Sequence, residues 1–228
     1  MTAENRIGVF GNGPAIELVR DLLGASLGIF SYKVQGSEHL KGINASPAVL
    51  CFFPHTSHLD PLSVRYASPK NLRKMEVFPA AADYWYRNKL MAIAGSLLLN
   101  NIPMERVCAS GIEESIKIAR SALDRGFSLV FSPEGTRTLK PLEERGLHTG
   151  PADIALSGGY PIIPIRLRGF DNIMPKGYGP KLLDRSRRWH VSVTFGEPIS
   201  VTKIDNPIDK PRERKSLTHF LKQRFLEM

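Results

Sequence analysis

Phe127-Ser128-Leu129-Val130-Phe131-Ser132-Pro133-Glu134-Gly135-Thr136-Arg137 is a short apolar run that ends abruptly in turn-formers and charged groups. Its β-branched and aromatic residues suit a buried strand, which Pro133 and Gly135 terminate. Glu134, Thr136 and Arg137 therefore stand at a strand's carboxyl end, where open α/β sheets bind ligands, and a guanidinium beside a hydroxyl and a Gly amide suits a phosphate. Ala48-Val49-Leu50-Cys51-Phe52-Phe53 reads as a second buried strand, and it ends in Pro54-His55-Thr56-Ser57-His58-Leu59-Asp60-Pro61. Two strands thus end in polar chemistry.

Working outward, apolar periodicity predicts alternating elements. Helices are expected at about 13–30, after Pro61, after Asp83, over 111–123 and 150–156, with a basic closing helix at about 210–226. Strands are expected near Val49, over 75–78, near Ile102, before Pro133, over 162–167 and over 190–195. The alternation predicts an α/β fold, a layered α-β-α domain with a mixed, largely parallel sheet. At 228 residues and 42% hydrophobic content, a chain without repeats or long polar linkers is expected to form a single domain over 1–228.

His55 is the side chain best suited to moving a proton near neutrality, and Asp60 can fix its tautomer. On a continuous helix their five-residue spacing turns through about 140°, so a turn must bring them together. Asp60-Pro61 reads as a helix cap followed by the first helical residue, which sets the Asp60 carboxylate two competing tasks. His55 and His58 have no further ligand cluster, so no metal is expected. Neither Ser57 nor Ser132 lies in a nucleophile elbow. Gly11-Asn12-Gly13 lacks the third glycine of a dinucleotide fingerprint and reads as a structural turn.

His55 and Asp60 as H-x4-D, followed by Pro133-Glu134-Gly135-Thr136-Arg137, resemble the lysophosphatidic acid acyltransferase family of the glycerolipid acyltransferase superfamily. Asn101-Ile102-Pro103-Met104-Glu105-Arg106 is similar to the family's second block, and Tyr160-Pro161-Ile162-Ile163-Pro164-Ile165 to its fourth. All four blocks stand in the family order, with Pro54 where many members have Asn and Asn101 where many have Gly. The resemblance implies a glycerol-3-phosphate acyltransferase-like fold. It further implies transfer of a fatty acyl group from acyl-CoA or acyl carrier protein to the hydroxyl of a lysophospholipid. His55 would be the base, Asp60 its orienter, and Arg106, Glu134, Gly135, Thr136 and Arg137 the acceptor-phosphate site. The thioester would be a co-substrate, with no resident cofactor. Glu134 cannot attract a phosphate, so its expected part is to bond an acceptor hydroxyl or align an arginine. The alternatives are acylation of a different acceptor, or a basic lipid-binding or nucleic-acid-binding module without turnover.

The net charge is +9, and from Arg166 onward fourteen Lys or Arg face seven Asp or Glu, so that third supplies +7. Such an excess attracts anionic membranes, phosphates or an acidic carrier protein. Arg185-Ser186-Arg187-Arg188-Trp189 and Lys210-Pro211-Arg212-Glu213-Arg214-Lys215 could track nucleic-acid phosphates, but no recognised nucleic-acid motif accompanies them. The apolar stretches 22–32 and 90–99 fall short of the roughly 20 residues of a membrane span. Aromatic and basic residues at 83–89, including Trp85, abut the second stretch as they would in an interfacial anchor or the wet first turn of a core helix. With Cys51 and Cys108 as the only cysteines and no signal peptide visible, the expectation is a cytoplasmic protein, peripheral at the inner face of a membrane.

Overall fold

A computed structural model describes residues 13–26, 31–41, 43, 46–105, 109–178, 190–206 and 208–228. One seven-stranded sheet organises them, in the order β1-β7-β6-β2-β5-β3-β4. The strands are β1 (Ser31–Gln35), β2 (Val49–Phe53), β3 (Glu76–Ala81), β4 (Asn101–Met104), β5 (Ser128–Phe131), β6 (Ile162–Arg168) and β7 (His190–Phe195). Five neighbouring pairs are parallel and only β6 with β7 is antiparallel. This is the mixed, largely parallel α/β sheet expected from the sequence.

β2 shows why the sheet sits inside the molecule. All five of its side chains are buried, and they alternate between two cores. Leu50 and Phe52 pack with Val64, Leu72 and Phe170 on one face, while Val49, Cys51 and Phe53 pack with Ile118, Ala122, Ile154, Leu221 and Phe225 on the other. Each such side chain contributes about 1.5–3 kcal/mol relative to exposure. The first face is covered by α2 (Leu59–Ala67) and its neighbours α3 (Lys70–Arg73), α5 (Lys89–Leu99) and α8 (Phe170–Ile173). The second is covered by α6 (Ala109–Asp124), α7 (Gly150–Gly158) and α9 (Lys210–Glu227).

α1 (Pro14–Ser26) lies against α2 and α5. Glu17 on α1 bonds Arg65 of α2 at 2.9 Å, and Arg20 donates Nε–H to the Leu97 carbonyl of α5 at 2.6 Å. That docking leaves Leu18, Val19 and Leu22 exposed, with Leu90 and Ile93 exposed on α5. Trp85, at the end of the short helix α4 (Ala82–Trp85), lies over Gly95, where a Cβ would stand 2.9 Å from its ring.

Several expected boundaries move. α2 begins at Leu59, two residues before Pro61, and α1 is described to Ser26, the next four residues lying outside the described set. The sequence reading missed β1, α3 and α8. The basic run 210–215 forms the opening turns of α9, whereas 185–189 and Cys108 lie outside the described residues. Among the described residues, no helix is long and apolar enough to cross a membrane.

Candidate active site

Parallel pairing of β2 with β5 sets their carboxyl ends side by side, with Cys51 opposite Phe131. The loops that follow carry His55 and Glu134, and they are bonded to each other twice. The His55 backbone N–H donates to Glu134 Oε2 at 2.5 Å, and the Thr138 N–H donates to the His55 carbonyl at 3.0 Å. Both peptide groups flanking the His55 side chain are therefore fixed by the neighbouring loop.

The His55 ring is fixed separately. Its Nδ1 lies 2.9 Å from Asp60 Oδ2. The same oxygen accepts the Thr56 N–H at 2.7 Å and the Ser57 N–H at 2.8 Å. Asp60 is therefore not the cap of a helix starting at Pro61. It lies within the first turn of α2, and its carboxylate turns back onto the preceding loop, while Ser57 Oγ accepts the Leu59 N–H at 3.1 Å. The capping task foreseen for the carboxylate falls away, and one oxygen shapes the loop and orients the ring together.

Asp60 is fully buried and Oδ1 makes no hydrogen bond among the described residues. An ionised carboxylate only accepts, so Nδ1 carries the proton and the lone pair is on Nε2. Phe52 meets the ring edge-on at 5.3 Å, and the His55 side chain retains 18% exposure.

Glu134 is buried with both oxygens engaged inside the protein, since Oε1 accepts from Arg145 Nη1 at 3.2 Å. Burial raises its pKa, against the His55 amide, the Arg145 guanidinium and the His55 ring, which lower it. In this arrangement its carboxylate aligns an arginine and holds the His55 loop. Gly135 adopts a left-handed φ of 67°, its amide donates to the Ser132 carbonyl at 3.2 Å, and a Cβ there would come within 3.1 Å of His148. Thr136 is exposed and Arg137 half-buried. Lys176 Nζ bonds the Arg137 carbonyl at 2.8 Å, adding a second cation beside it. Arg106 lies outside the described residues.

His58 stacks on Tyr84 at 6.0 Å. Burial, with Arg137 and His55 nearby, lowers its pKa against the pull of Asp60, so it stays neutral around pH 7. Arg145, Thr138 and Lys176 were missed by sequence reasoning. Their roles come from strand adjacency, and no local spacing announces them. A cavity of about 350 Å³ opens between β4 and α6, lined by Pro103, Glu105, Ser110, Glu114 and Ile118 among others, and His55 does not line it.

Comparison with known proteins bears on the fold and the family. The structure resembles that of the 1-acyl-sn-glycerophosphate (LPA) acyltransferase PlsC from Thermotoga maritima, with a TM-score of 0.62 at 18% identity over 94% of this chain and 78% of that one. The chain is similar to the chloroplastic 1-acyl-sn-glycerol-3-phosphate acyltransferase BAT2 of Brassica napus, 29% identical over 121 residues. That match takes in 51% of this chain and spans about a third, 33%, of the length of that relative. The family described as Acyltransferase matches residues 31–168, from β1 through the end of β6, which includes both loops that meet at His55. By that match over more than half its length, the chain belongs to the Acyltransferase family.

Proposed function

We propose that this chain transfers a fatty acyl group from a thioester, acyl-CoA or acyl carrier protein, to the hydroxyl of a lysophosphatidic acid-like acceptor, with His55 as general base. The observation that carries the reading is the 2.9 Å contact of His55 Nδ1 with the buried Asp60 carboxylate, in a side chain that keeps 18% exposure. Nε2 takes the proton of the acceptor hydroxyl as its oxygen attacks the thioester carbonyl. Asp60 stabilises the imidazolium that forms. The tetrahedral intermediate then expels the thiolate, which receives the proton from His55, and no acyl-enzyme forms.

The acceptor phosphate is assigned to the Arg137 guanidinium and the Thr136 hydroxyl, with Arg106 joining them by resemblance to the family block. Lys176, bound to the Arg137 carbonyl, supports the positive potential there. Every proton in this scheme moves through side chains and the two substrates, so it calls for no resident cofactor. The acceptor is an amphiphile, and the exposed Leu18, Val19, Leu22, Leu90 and Ile93 beside an excess of basic residues support peripheral binding at the cytoplasmic face of an anionic membrane.

Thioester consumption by the purified protein, followed by lipid mass spectrometry with a panel of acceptors and donors, tests the reading. Acceptor-dependent release of free thiol with a matching acylated lipid is expected. Turnover with a non-phosphorylated acceptor alone would replace the acceptor, and absence of turnover with every pair would leave a binding module.

A further inference from the structure

We propose that Arg145 is a positioning residue for the transfer, acting on His55 through Glu134 without contacting either substrate. The inference rests on His55 being the base. It starts from a chain of contacts that ends at the His55 backbone: Arg145 Nη1 to Glu134 Oε1 at 3.2 Å, and Glu134 Oε2 to the His55 amide at 2.5 Å.

Arg145 is itself fixed from three directions. Its Nε–H donates to the Lys140 carbonyl at 2.8 Å, its guanidinium carbon lies 5.9 Å from the centre of the Phe53 ring, and it is 5% exposed. The His148 N–H closes the same loop onto the Pro133 carbonyl at 2.8 Å. Phe53 is two residues before His55 in the chain, so the guanidinium touches both the strand that delivers His55 and the carboxylate that holds it. A neutral side chain of equal size would fill the space and lose the second contact.

The relay depends on charge as well as shape. A carboxylate oxygen accepts an amide N–H more strongly than a protonated carboxyl does. Glu134 is under opposing influences: burial favours the protonated form, and Arg145 with the His55 amide favours the ionised one. Among the described residues, the other charged groups that face this cluster are the His55 ring from the β2 loop and Arg166 from β6, whose guanidinium carbon lies 5.4 Å from the same Phe53 ring and which also senses Glu143. Arg166 is 7% exposed, and its Nε and Nη1 make no hydrogen bond among the described residues. Arg145 is thus the cation bonded to Glu134. Its loss raises the pH at which Glu134 gains a proton and loosens the His55 amide.

The test compares R145M, R145K, E134Q and the double variant R145M/E134Q in the full chain, by acyl-transfer kinetics across pH. For R145M the expected result is a kcat lower by about 10- to 100-fold with the acceptor KM changed by less than about threefold, a split that marks positioning rather than binding. The acidic limb of its pH profile moves to higher pH. R145K, which keeps the charge, recovers about half or more of the lost factor on a logarithmic scale. In the E134Q background R145M has no further effect beyond about twofold, because the two side chains form one path.

Additive losses, a loss confined to the acceptor KM, or an unmoved pH profile would each overturn the proposal. If R145M does not fold, R145Q serves as the neutral replacement in its place, and failure of R145K to outperform R145Q counts against the proposal. The His55 amide proton, followed by NMR through a pH titration without substrate, reads the relay independently of chemistry. Its midpoint should follow Glu134 and rise in R145M. An unchanged midpoint overturns the relay even if His55 proves to be the base, and loss of the general-base reading through an active His55→Ala protein leaves this titration standing on its own.

Discussion

Asp60 holds His55 through Oδ2, the oxygen that also collects the amides of Thr56 and Ser57, and leaves Oδ1 without a hydrogen bond among the described residues. Asparagine can therefore replace Asp60 with its carbonyl at the Oδ2 position and its NH₂ at the other. The loop is kept and the charge beside the ring is removed. Asp60→Asn should lower kcat by about 10- to 100-fold, and His55→Ala by about 10²–10⁴-fold. Circular dichroism and acyl-transfer kinetics on the same preparations check both, and near-normal turnover by folded His55→Ala would end the general-base reading.

His58 differs from His55 in having no carboxylate bonded to its ring among the described residues and in stacking on Tyr84. His58→Ala should keep kcat within about fivefold of wild type, since no proton-transfer partner is removed. Its folded pKa is lowered, so protonation of the unfolded state below about pH 6.5 costs stability as pH falls. Thermal melts of His58→Gln across pH 5–8 should show a shallower acid-side decline than wild type. A kcat loss equal to that of His55→Ala in a folded protein would reverse the roles of the two histidines.

Glu76, at the start of β3, is fully buried, and burial pushes its carboxyl up to about 7 against Ser68, Arg65 and Arg73, which lower it. Its folded pKa exceeds the unfolded one, so the folded state binds more protons and stability declines as pH rises from about 4.5 to about 7. The shift corresponds to a few kcal/mol at most, roughly 1.4 kcal/mol per pH unit. Glu76→Gln should flatten that decline in urea titrations at pH 5, 6, 7 and 8. An unchanged slope would mean that Glu76 has the same pKa folded and unfolded.

Gly135 combines a φ of 67° with a His148 ring 3.1 Å from where a Cβ would lie. Gly135→Ala should cost about 1–2 kcal/mol from the left-handed backbone alone, plus the clash. Adding His148→Ala should restore the steric part and leave the backbone part. Full restoration in denaturant melts would show that the conformation itself carries no penalty.

The apolar residues exposed on α1 and α5 separate two ways of binding a bilayer. Leu18→Glu with Leu22→Glu should remove most of the salt-resistant fraction in vesicle co-sedimentation, each leucine being worth about 1.5–3 kcal/mol on burial. The salt-sensitive fraction on anionic vesicles should remain, at roughly 1 kcal/mol per basic residue near the surface. Trp85→Ala should act differently, lowering the melting temperature, because Trp85 packs on Gly95. Equal sedimentation of wild type and the double leucine variant with neutral vesicles in high salt would remove α1 from the interface.

Among the strands legible in the sequence, the clearest are the central ones, β2 and β6, while β7 was readable from its alternation. Val49 to Phe53 is a continuous apolar run, Ile162 to Leu167 is one broken only by Arg166, and their shortness and β-branched content suit a central strand. β1 was not legible, because Ser-Tyr-Lys-Val-Gln is mostly exposed and becomes a strand only by pairing with β7. The H-x4-D pair could be read because five residues suffice to close it. Arg145, eleven residues beyond Glu134, could not, since its part follows from β2 and β5 being neighbours in space. The start of α2 was misplaced because Pro61 suits a first helical turn equally well as its third residue.

The reversal of direction between β6 and β7 bears on how this enzyme family can diversify. Arg168 leaves the sheet at the rim where His55 lies, and His190 re-enters at that same rim. Pro175, within the intervening connection, bridges to Ser57, and Lys176 reaches the Arg137 carbonyl. Exchanges at Pro175 and Lys176 thus alter what surrounds the reacting groups, whereas Phe170 and Ile173 of the same connection belong to the core and hold it to the sheet. The stretch after α8 is thus a natural graft point, at which substrate preference can evolve or be engineered while the core contacts of Phe170 and Ile173 are kept.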